Sequence, residues 1–195
     1  MSQKVLARLK ARFVDAILTT ESFRGDDEAL VAPDDWLAVA RFLRDDGECA
    51  MNHFIDLTVV DYPEREPATP RFEVLLFVRS LGKNHRVRLK TRVRDGEELD
   101  TLTGIWSGAN WTEREAYDMF GVKFRGHPDL RRILMYEEFV GYPLRKDYPI
   151  TRTQPLLAYR DVPPSKLAPF GSDEGQPYGR IDWLARMAGR NLQVS

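Results

Sequence analysis

A single cysteine, Cys49, stands in the whole chain. One thiol excludes an intramolecular disulfide, a zinc ribbon and a cysteine-ligated iron–sulfur cluster held by this chain alone. It lies between Glu48 and Ala50, with His53 four residues on, and reads as a small buried hydrophobe, not a nucleophile. One thiol also fits a reducing, cytoplasm-like compartment. Histidine is scarce as well: His53, His85 and His127 share no HxH or HxxxH spacing, so no zinc-ligand set is written here. No GxGxxG occurs, which argues against a Rossmann turn. Gly121 and Gly126 have phosphate-loop spacing, but His127-Pro128 follows where a lysine and a hydroxyl are needed. Charge of one sign is also missing, since 29 basic residues face 30 acidic ones. A net charge of −1 gives no global field for nucleic acid or an anionic membrane surface. The longest strongly apolar run, Val74-Leu75-Leu76-Phe77-Val78, is far short of the roughly 20 residues of a membrane-spanning helix. Met1 to Lys10 is polar and basic without an apolar run behind it, unlike a secretory signal. The expectation is a soluble chain that reaches a membrane only through partners.

What is present fits one domain with a tail: 195 residues, 43% of them hydrophobic, and no internal repeat. Val5, Leu6, Leu9, Phe13, Ile17 and Leu18 recur at helical spacing, which predicts a helix over 3–19. Gly25 to Glu28 breaks it, and Ala29 to Ala32 reads as a short buried strand. Pro33-Asp34-Asp35 carries the proline and acids of a first helical turn, so a second helix is expected through Trp36, Val39, Ala40, Phe42 and Leu43 to Gly47. Three strands follow, at His53–Asp61, Arg71–Ser80 and Arg86–Arg94, the last two joined as a hairpin by Leu81-Gly82-Lys83-Asn84. A further helix is expected through Leu99, Leu102, Ile105 and Trp106. Gly104 and Gly108 within it fit close backbone packing or a helix end better than membrane dimerisation. The predicted fold class is α+β, a two-layer mixed sheet with helices packed on one face, followed by an extended proline-rich C-terminal tail. The domain is placed at 1–148 and the tail at 149–195. Seven of the twelve prolines fall from Pro143 onward, and only Ile181 to Met187 there has the pattern of a short helix, with Trp183, Leu184 and Met187 on its apolar face.

The third strand alternates cleanly. Val87, Leu89, Thr91 and Val93 point one way, and Arg86, Arg88, Lys90, Arg92 and Arg94 the other. A solvated face or an edge strand protected by cations explains it; a basic docking stripe for an acidic partner is the sharper alternative. Nucleic acid ranks last, since no aromatic residues interleave with the cations.

The densest punctuation runs from Trp111 to Pro149. Thr112 and Glu115 fit a capping box, Arg114 and Asp118 can pair along one helix face, and Trp111, Ala116, Met119 and Phe120 offer an apolar side that Gly121 can stop. Helix-building does not account for the Glu-Arg-Glu order, nor for His127-Pro128 followed by Arg131-Arg132. Partly buried charges cost several kcal/mol unless paired, so Glu113, Arg114, Glu115, Asp118, Arg131 and Arg132 are expected to form an ionic cluster. It would clamp the helix onto the Gly126–Leu134 turn and present a partner surface. A stand-alone hydrolase using Glu115, Asp118 and His127 is the alternative of a different class, but neither a nucleophile nor a ligand set accompanies them.

The three blocks Glu113–Gly121, Gly126–Leu134 and Gly141–Pro149, with weaker support from Asp56-Leu57-Thr58 and Asp61, resemble the hallmark segment (110–149) of the C subunit of respiratory complex I, the proton-pumping NADH:quinone oxidoreductase, in its bacterial form. The resemblance implies a non-catalytic structural subunit of the peripheral arm. Its complex, a translocase, carries electrons from NADH through flavin and iron–sulfur centres to quinone. It implies that FMN and the clusters belong to partner subunits, with none in this chain. The chief partner would be the large quinone-site subunit, at the cytoplasmic side of the inner membrane. The residues it marks are Glu113, Arg114, Glu115, Asp118, Phe120, Gly121, His127, Pro128, Arg131, Arg132, Ile133, Leu134, Pro143, Arg145, Lys146 and Asp147. Within the tail, Leu156, Leu157, Tyr159, Phe170, Tyr178 and above all Trp183 read as anchors on neighbouring subunits. The equivalent subunit of a ferredoxin–plastoquinone reductase or membrane-bound hydrogenase is the second possibility.

Overall fold

The computed structural model describes residues 3–64 and 69–156. Helix α1 (Gln3–Arg12) is followed by strands β1 (Ile17–Phe23) and β2 (Asp26–Val31), a 3-10 turn at Pro33–Asp35 and helix α2 (Trp36–Asp45). Three long strands come next, β3 (His53–Asp61), β4 (Phe72–Ser80) and β5 (His85–Val93). Short strand β6 (Glu98–Asp100), helix α3 (Ala109–Phe120) and short strand β7 (Lys123–Arg125) complete the regular structure.

The sheet has the order β1-β2-β5-β4-β3, and every neighbouring pair is antiparallel except β2 with β5. It is the mixed sheet expected. Residues of one parity (Ala29 and Val31 on β2, Val87, Leu89 and Val93 on β5, Val74, Leu76 and Val78 on β4) join Val5 and Leu9 of α1, Val39, Ala40 and Leu43 of α2 and Ala109 and Ala116 of α3 in one core. The helices therefore cover a single face, giving two layers.

Two local expectations fail, each for a tertiary reason. The helix predicted over 3–19 ends at Arg12, and Ile17–Phe23 is a strand. Arg24 and Gly25 both have positive φ, 52° and 88°, and Phe23 pairs with Asp26 across them. That is a two-residue hairpin of the primed type, so pairing with β2 overrides the apolar spacing of Phe13, Ile17 and Leu18. The break expected at Gly25–Glu28 is accordingly the turn and the start of β2. The helix predicted through Leu99 to Trp106 is instead β6, paired in parallel with β7, and then turns. Leu99, Leu102, Ile105 and Trp106 are all buried, and the Trp106 Nε1–H donates to the Met51 carbonyl at 3.1 Å. Gly108 does permit a close approach, since a Cβ there would lie 3.1 Å from the Phe54 ring.

The cationic alternation of β5 is present, but β5 lies inside the sheet, so edge protection is not its purpose. Arg86 pairs with Asp26, Arg88 and Lys90 with Glu28, Arg92 with Glu73 and Arg94 with Glu97. The stripe is largely neutralised by acids of the flanking strands and of the β5–β6 turn.

Candidate functional site

Helix α3 begins at Ala109, three residues before the expected cap. Thr112 is already inside it, and its hydroxyl donates back to the Ala109 carbonyl at 3.2 Å. The capping box with Glu115 is therefore not formed. The helix stops at Gly121, whose φ is 80°. Glycine is required there twice over, because a Cβ would also stand 2.5 Å from the Tyr142 ring and 2.7 Å from Arg145 Nη2.

The chain after β7 carries no regular structure as far as Pro155, so its backbone polar groups need partners from elsewhere. Helix α3 supplies them with side-chain charge. The Asp118 carboxylate, fully buried, accepts from the consecutive amides of Ile133, Leu134 and Met135 at 3.0, 2.8 and 2.8 Å, and from Arg132 Nη1 at 2.8 Å. One turn earlier Arg114 donates to the carbonyls of Arg131 and Arg132 at 3.2 and 3.3 Å. Arg114 and Asp118 thus do not pair with each other, as their spacing suggested. They grip successive carbonyls and amides of one loop strand. Arg132 extends the grip to the Gly141 carbonyl at 3.0 Å, packed against the Phe139 and Tyr142 rings.

The six-residue ionic cluster is therefore smaller than predicted. Glu115 is exposed, and Arg131 points outward to Asp129 at 2.9 Å. Glu113 is buried and, among the described residues, meets no lysine or arginine: it accepts from the Leu102 amide at 2.7 Å and the Thr101 hydroxyl at 2.5 Å. Burial pushes its carboxyl up to about 7, against the lowering effect of those two bonds. His127 Nε2 lies 4.0 Å from Glu113 Oε2, both side chains wholly enclosed. The Asp129 amide donates to His127 Nδ1 at 3.0 Å, which leaves Nε2 to donate to the Asn110 carbonyl at 3.2 Å. The acid beside His127 is thus Glu113, neither Glu115 nor Asp118. The proposed hydrolytic trio is not brought together.

The third block closes on the same helix. Arg145 Nε donates to the Phe120 carbonyl at 2.6 Å, the Leu144 amide to the Met119 carbonyl at 3.1 Å, and the Arg145 guanidinium grips Asp95 with two bonds of 2.8 and 2.9 Å. Asp61, at the end of β3, accepts two bonds from Arg71 at 2.6 and 2.8 Å and the Lys146 amide at 2.8 Å. Burial alone would raise its carboxyl, but Arg71 and the Lys146 amide outweigh that and hold it below the usual range. Arg71 also reaches Asp147 at 2.9 Å. Arg71 and Asp95 were missed at the level of sequence; their partners lie 76 and 50 residues away, and no local spacing marks them. Past Tyr148 the Gln154 amide bonds back to Val140, and the Tyr136 hydroxyl to the Pro155 carbonyl. Phe120, Pro143 and Lys146 lie along this loop–helix contact, half-buried or exposed, and Pro128 is exposed beside His127. Trp183 and the helix expected at Ile181–Met187 lie outside the described residues.

Asp118, Arg114 and Glu113 are thus turned inward, while several apolar groups of the same segment face out. Trp111 is 61% exposed under the Arg114 guanidinium and Leu134 is 59% exposed, with Val140 and Leu144 also open. Trp111, expected on the buried side of the helix, is instead exposed. Among the described residues no group of three or more His, Cys, Asp and Glu side chains is placed to hold a metal ion, and no helix is long and apolar enough to cross a membrane.

The sequence profile of the family described as "Respiratory-chain NADH dehydrogenase, 30 Kd subunit" matches residues 29–154. The chain belongs to this family. The C subunit of NADH-quinone oxidoreductase from Hyphomonas neptunium is 43% identical over 193 residues, covering 96% of this chain and 91% of that one. Its counterpart from a Roseiflexus species is 49% identical over 147 residues, covering 75% and 83%. Among solved structures, the trypsin-resistant fragment (1–134) of Nqo5 superposes with a TM-score of 0.57 at 27% identity, covering 66% of this chain and 98% of that chain. The family match runs from within β2 to Gln154, and so takes in β3, β4 and β5 of the sheet, α3 and the loop that α3 holds.

Proposed function

We propose that the chain acts as a non-catalytic structural subunit of the peripheral arm of an NADH:quinone oxidoreductase, positioning neighbours without taking part in electron transfer. The observation that supports this most is how the hallmark charges are used. Asp118 has four donors, Arg114 two carbonyls, and His127 engages both ring nitrogens, all within the chain. Groups so satisfied are poor acids, bases or ligands, and well suited to holding an irregular loop in one shape. The shape they hold presents Trp111, Leu134 and Leu144 outward, the exposed aromatic and aliphatic character of an interface core. The partner is the large quinone-site subunit, FMN and the iron–sulfur clusters reside in other subunits, and the chain sits peripherally on the cytoplasmic side of the bacterial inner membrane. The segment 149–195 acts as a docking tail with Trp183 as an anchor, and nucleic acid has no part.

The test is recovery of the chain with flavin- and iron–sulfur-bearing subunits from solubilised membranes, comparing wild type with Trp111→Ala. The variant is expected to fold as wild type, because the ring is exposed, yet to lower the amount of assembled complex about tenfold, a loss in the range of an interface hot spot. NADH:quinone turnover is expected to fall in step with the assembled complex. Full assembly with a selective loss of turnover would refute a purely structural role.

A further inference from the structure

The hallmark explains one surface of the molecule and leaves the opposite edge of the sheet unexplained. Strand β1 is the outer strand there, paired only with β2 among the described residues. Both outer strands have a helix packed on them, α3 on β3 and α1 on β1. Edge strands are ordinarily guarded by lysine, proline, shortness or a covering element. The β1 segment Ile17-Leu18-Thr19-Thr20-Glu21-Ser22-Phe23 has no lysine and no proline and is seven residues long; its pairing is irregular between Ile17 and Thr19, but Thr19–Phe23 keeps regular register with β2 and among the described residues has no strand against its outer side. Leu18 is 57% exposed and Phe23 69%. At about 3.3 Å per residue the free edge offers roughly 20 Å of backbone donors and acceptors.

Its charge is unbalanced in one place. Glu21 stands directly opposite Glu28 in the antiparallel register, an arrangement of like charges that destabilises a sheet. Both line a small cleft of about 50 Å³ with Glu73, Lys90 and Arg92. Glu28 is satisfied by Lys90 and Arg88, and Glu73 by Arg92. Lys90 and Arg92 of this cleft are engaged by Glu28 and Glu73, and among the described residues no ion pair joins Glu21 to a cation.

We propose that the free edge of β1 receives an extended segment of a neighbouring subunit as a sixth strand, with a lysine or arginine opposite Glu21 and apolar side chains over Leu18 and Phe23. Backbone bonds would supply the affinity of such strand addition and the cation its register. A second copy of this chain fits poorly, because Ile17–Phe23 holds no basic residue to set opposite Glu21. The inference rests on the proposed role as an assembly subunit, and adds a site remote from the α3 hallmark.

The test is hydrogen exchange of the Leu18–Phe23 amides in the isolated full chain and in the assembled complex, together with Glu21→Lys. Half of these amides bond to β2, and those facing outward are the reporters. Strand addition is expected to slow the reporters at least roughly 100-fold in the complex relative to the isolated chain. Glu21→Lys, which replaces a like charge facing Glu28 by an opposite one, is expected to leave the isolated chain at least as stable and to cut its recovery in the complex about tenfold. Reporters that exchange equally fast in both states would overturn the proposal while leaving the structural-subunit role intact. Reporters already protected in the isolated chain would overturn it too, with light scattering then separating self-coverage from a second copy. Failure of the wild-type chain to co-purify with any other subunit would overturn both.

Discussion

Replacing Glu113 by glutamine isolates the one hallmark carboxylate that is buried without a lysine or arginine beside it. In the folded chain its carboxyl is pushed from the ordinary 4.5 up to about 7, chiefly by desolvation. The folded state therefore binds more protons than the unfolded state between those values, and stability falls as pH rises through them. At about 1.4 kcal/mol per unit the difference amounts to about 3 kcal/mol, fully felt above pH 7.5. Glutamine keeps an oxygen for the Leu102 amide and a group for the Thr101 hydroxyl, but has no charge to bury. Urea unfolding of the isolated chain from pH 5 to 8.5 is the assay. Wild type is expected to lose about 3 kcal/mol across that range and Glu113→Gln to stay nearly flat, making the variant the more stable above pH 7. Carboxylates held low, such as Asp46 at about 2, where the Arg8 hydrogen bond dominates, and Asp61, act in the opposite sense at more acid pH and do not enter this window. An unchanged slope in the variant, or a wild type that gains stability towards pH 8, would refute the assignment.

Asp118→Ala strands three amides and Arg132 at once, so a loss of about 3–5 kcal/mol is expected by urea unfolding. Asp118→Asn, which keeps an acceptor for the amides, is expected to lose less, and equal losses would contradict the bonding described. Gly121→Ala forces a left-handed alanine into the Tyr142 ring and is expected to cost about 2 kcal/mol or more, read as a lowered thermal midpoint with faster proteolysis of the 126–149 loop. Cys49 is buried, and burial pushes its thiol up to about 12. Iodoacetamide at pH 8 is therefore expected to leave it unmodified in the folded chain and to label it in urea.

The parts of this protein legible in its sequence are those in which local pattern and tertiary demand coincide. The β4–β5 hairpin is one, since Val87, Leu89 and Val93 alternate with cations and a short turn joins two runs of strand composition. Gly121 as a helix stop is another. The first helix was overextended because Phe13, Ile17 and Leu18 keep helical spacing while Arg24-Gly25 folds a hairpin that only β2 can complete. The same limit shaped the hallmark. Arg114 and Asp118 stand four apart, and local rules can only pair them with each other. Their bonds instead run to carbonyls 17 and 18 residues on and to amides 15 to 17 residues on, because an irregular loop has amides and carbonyls that no secondary structure satisfies. Charge in a helix beside such a loop is better explained by the loop's unmet backbone than by a helix-surface ion pair. The motif's rigid spacing then follows from geometry: the carbonyls of 131 and 132 and the amides of 133 to 135 are met by Arg114 and Asp118, which lie one helical turn apart on α3, and moving either charge by a residue would carry it to another face of the helix.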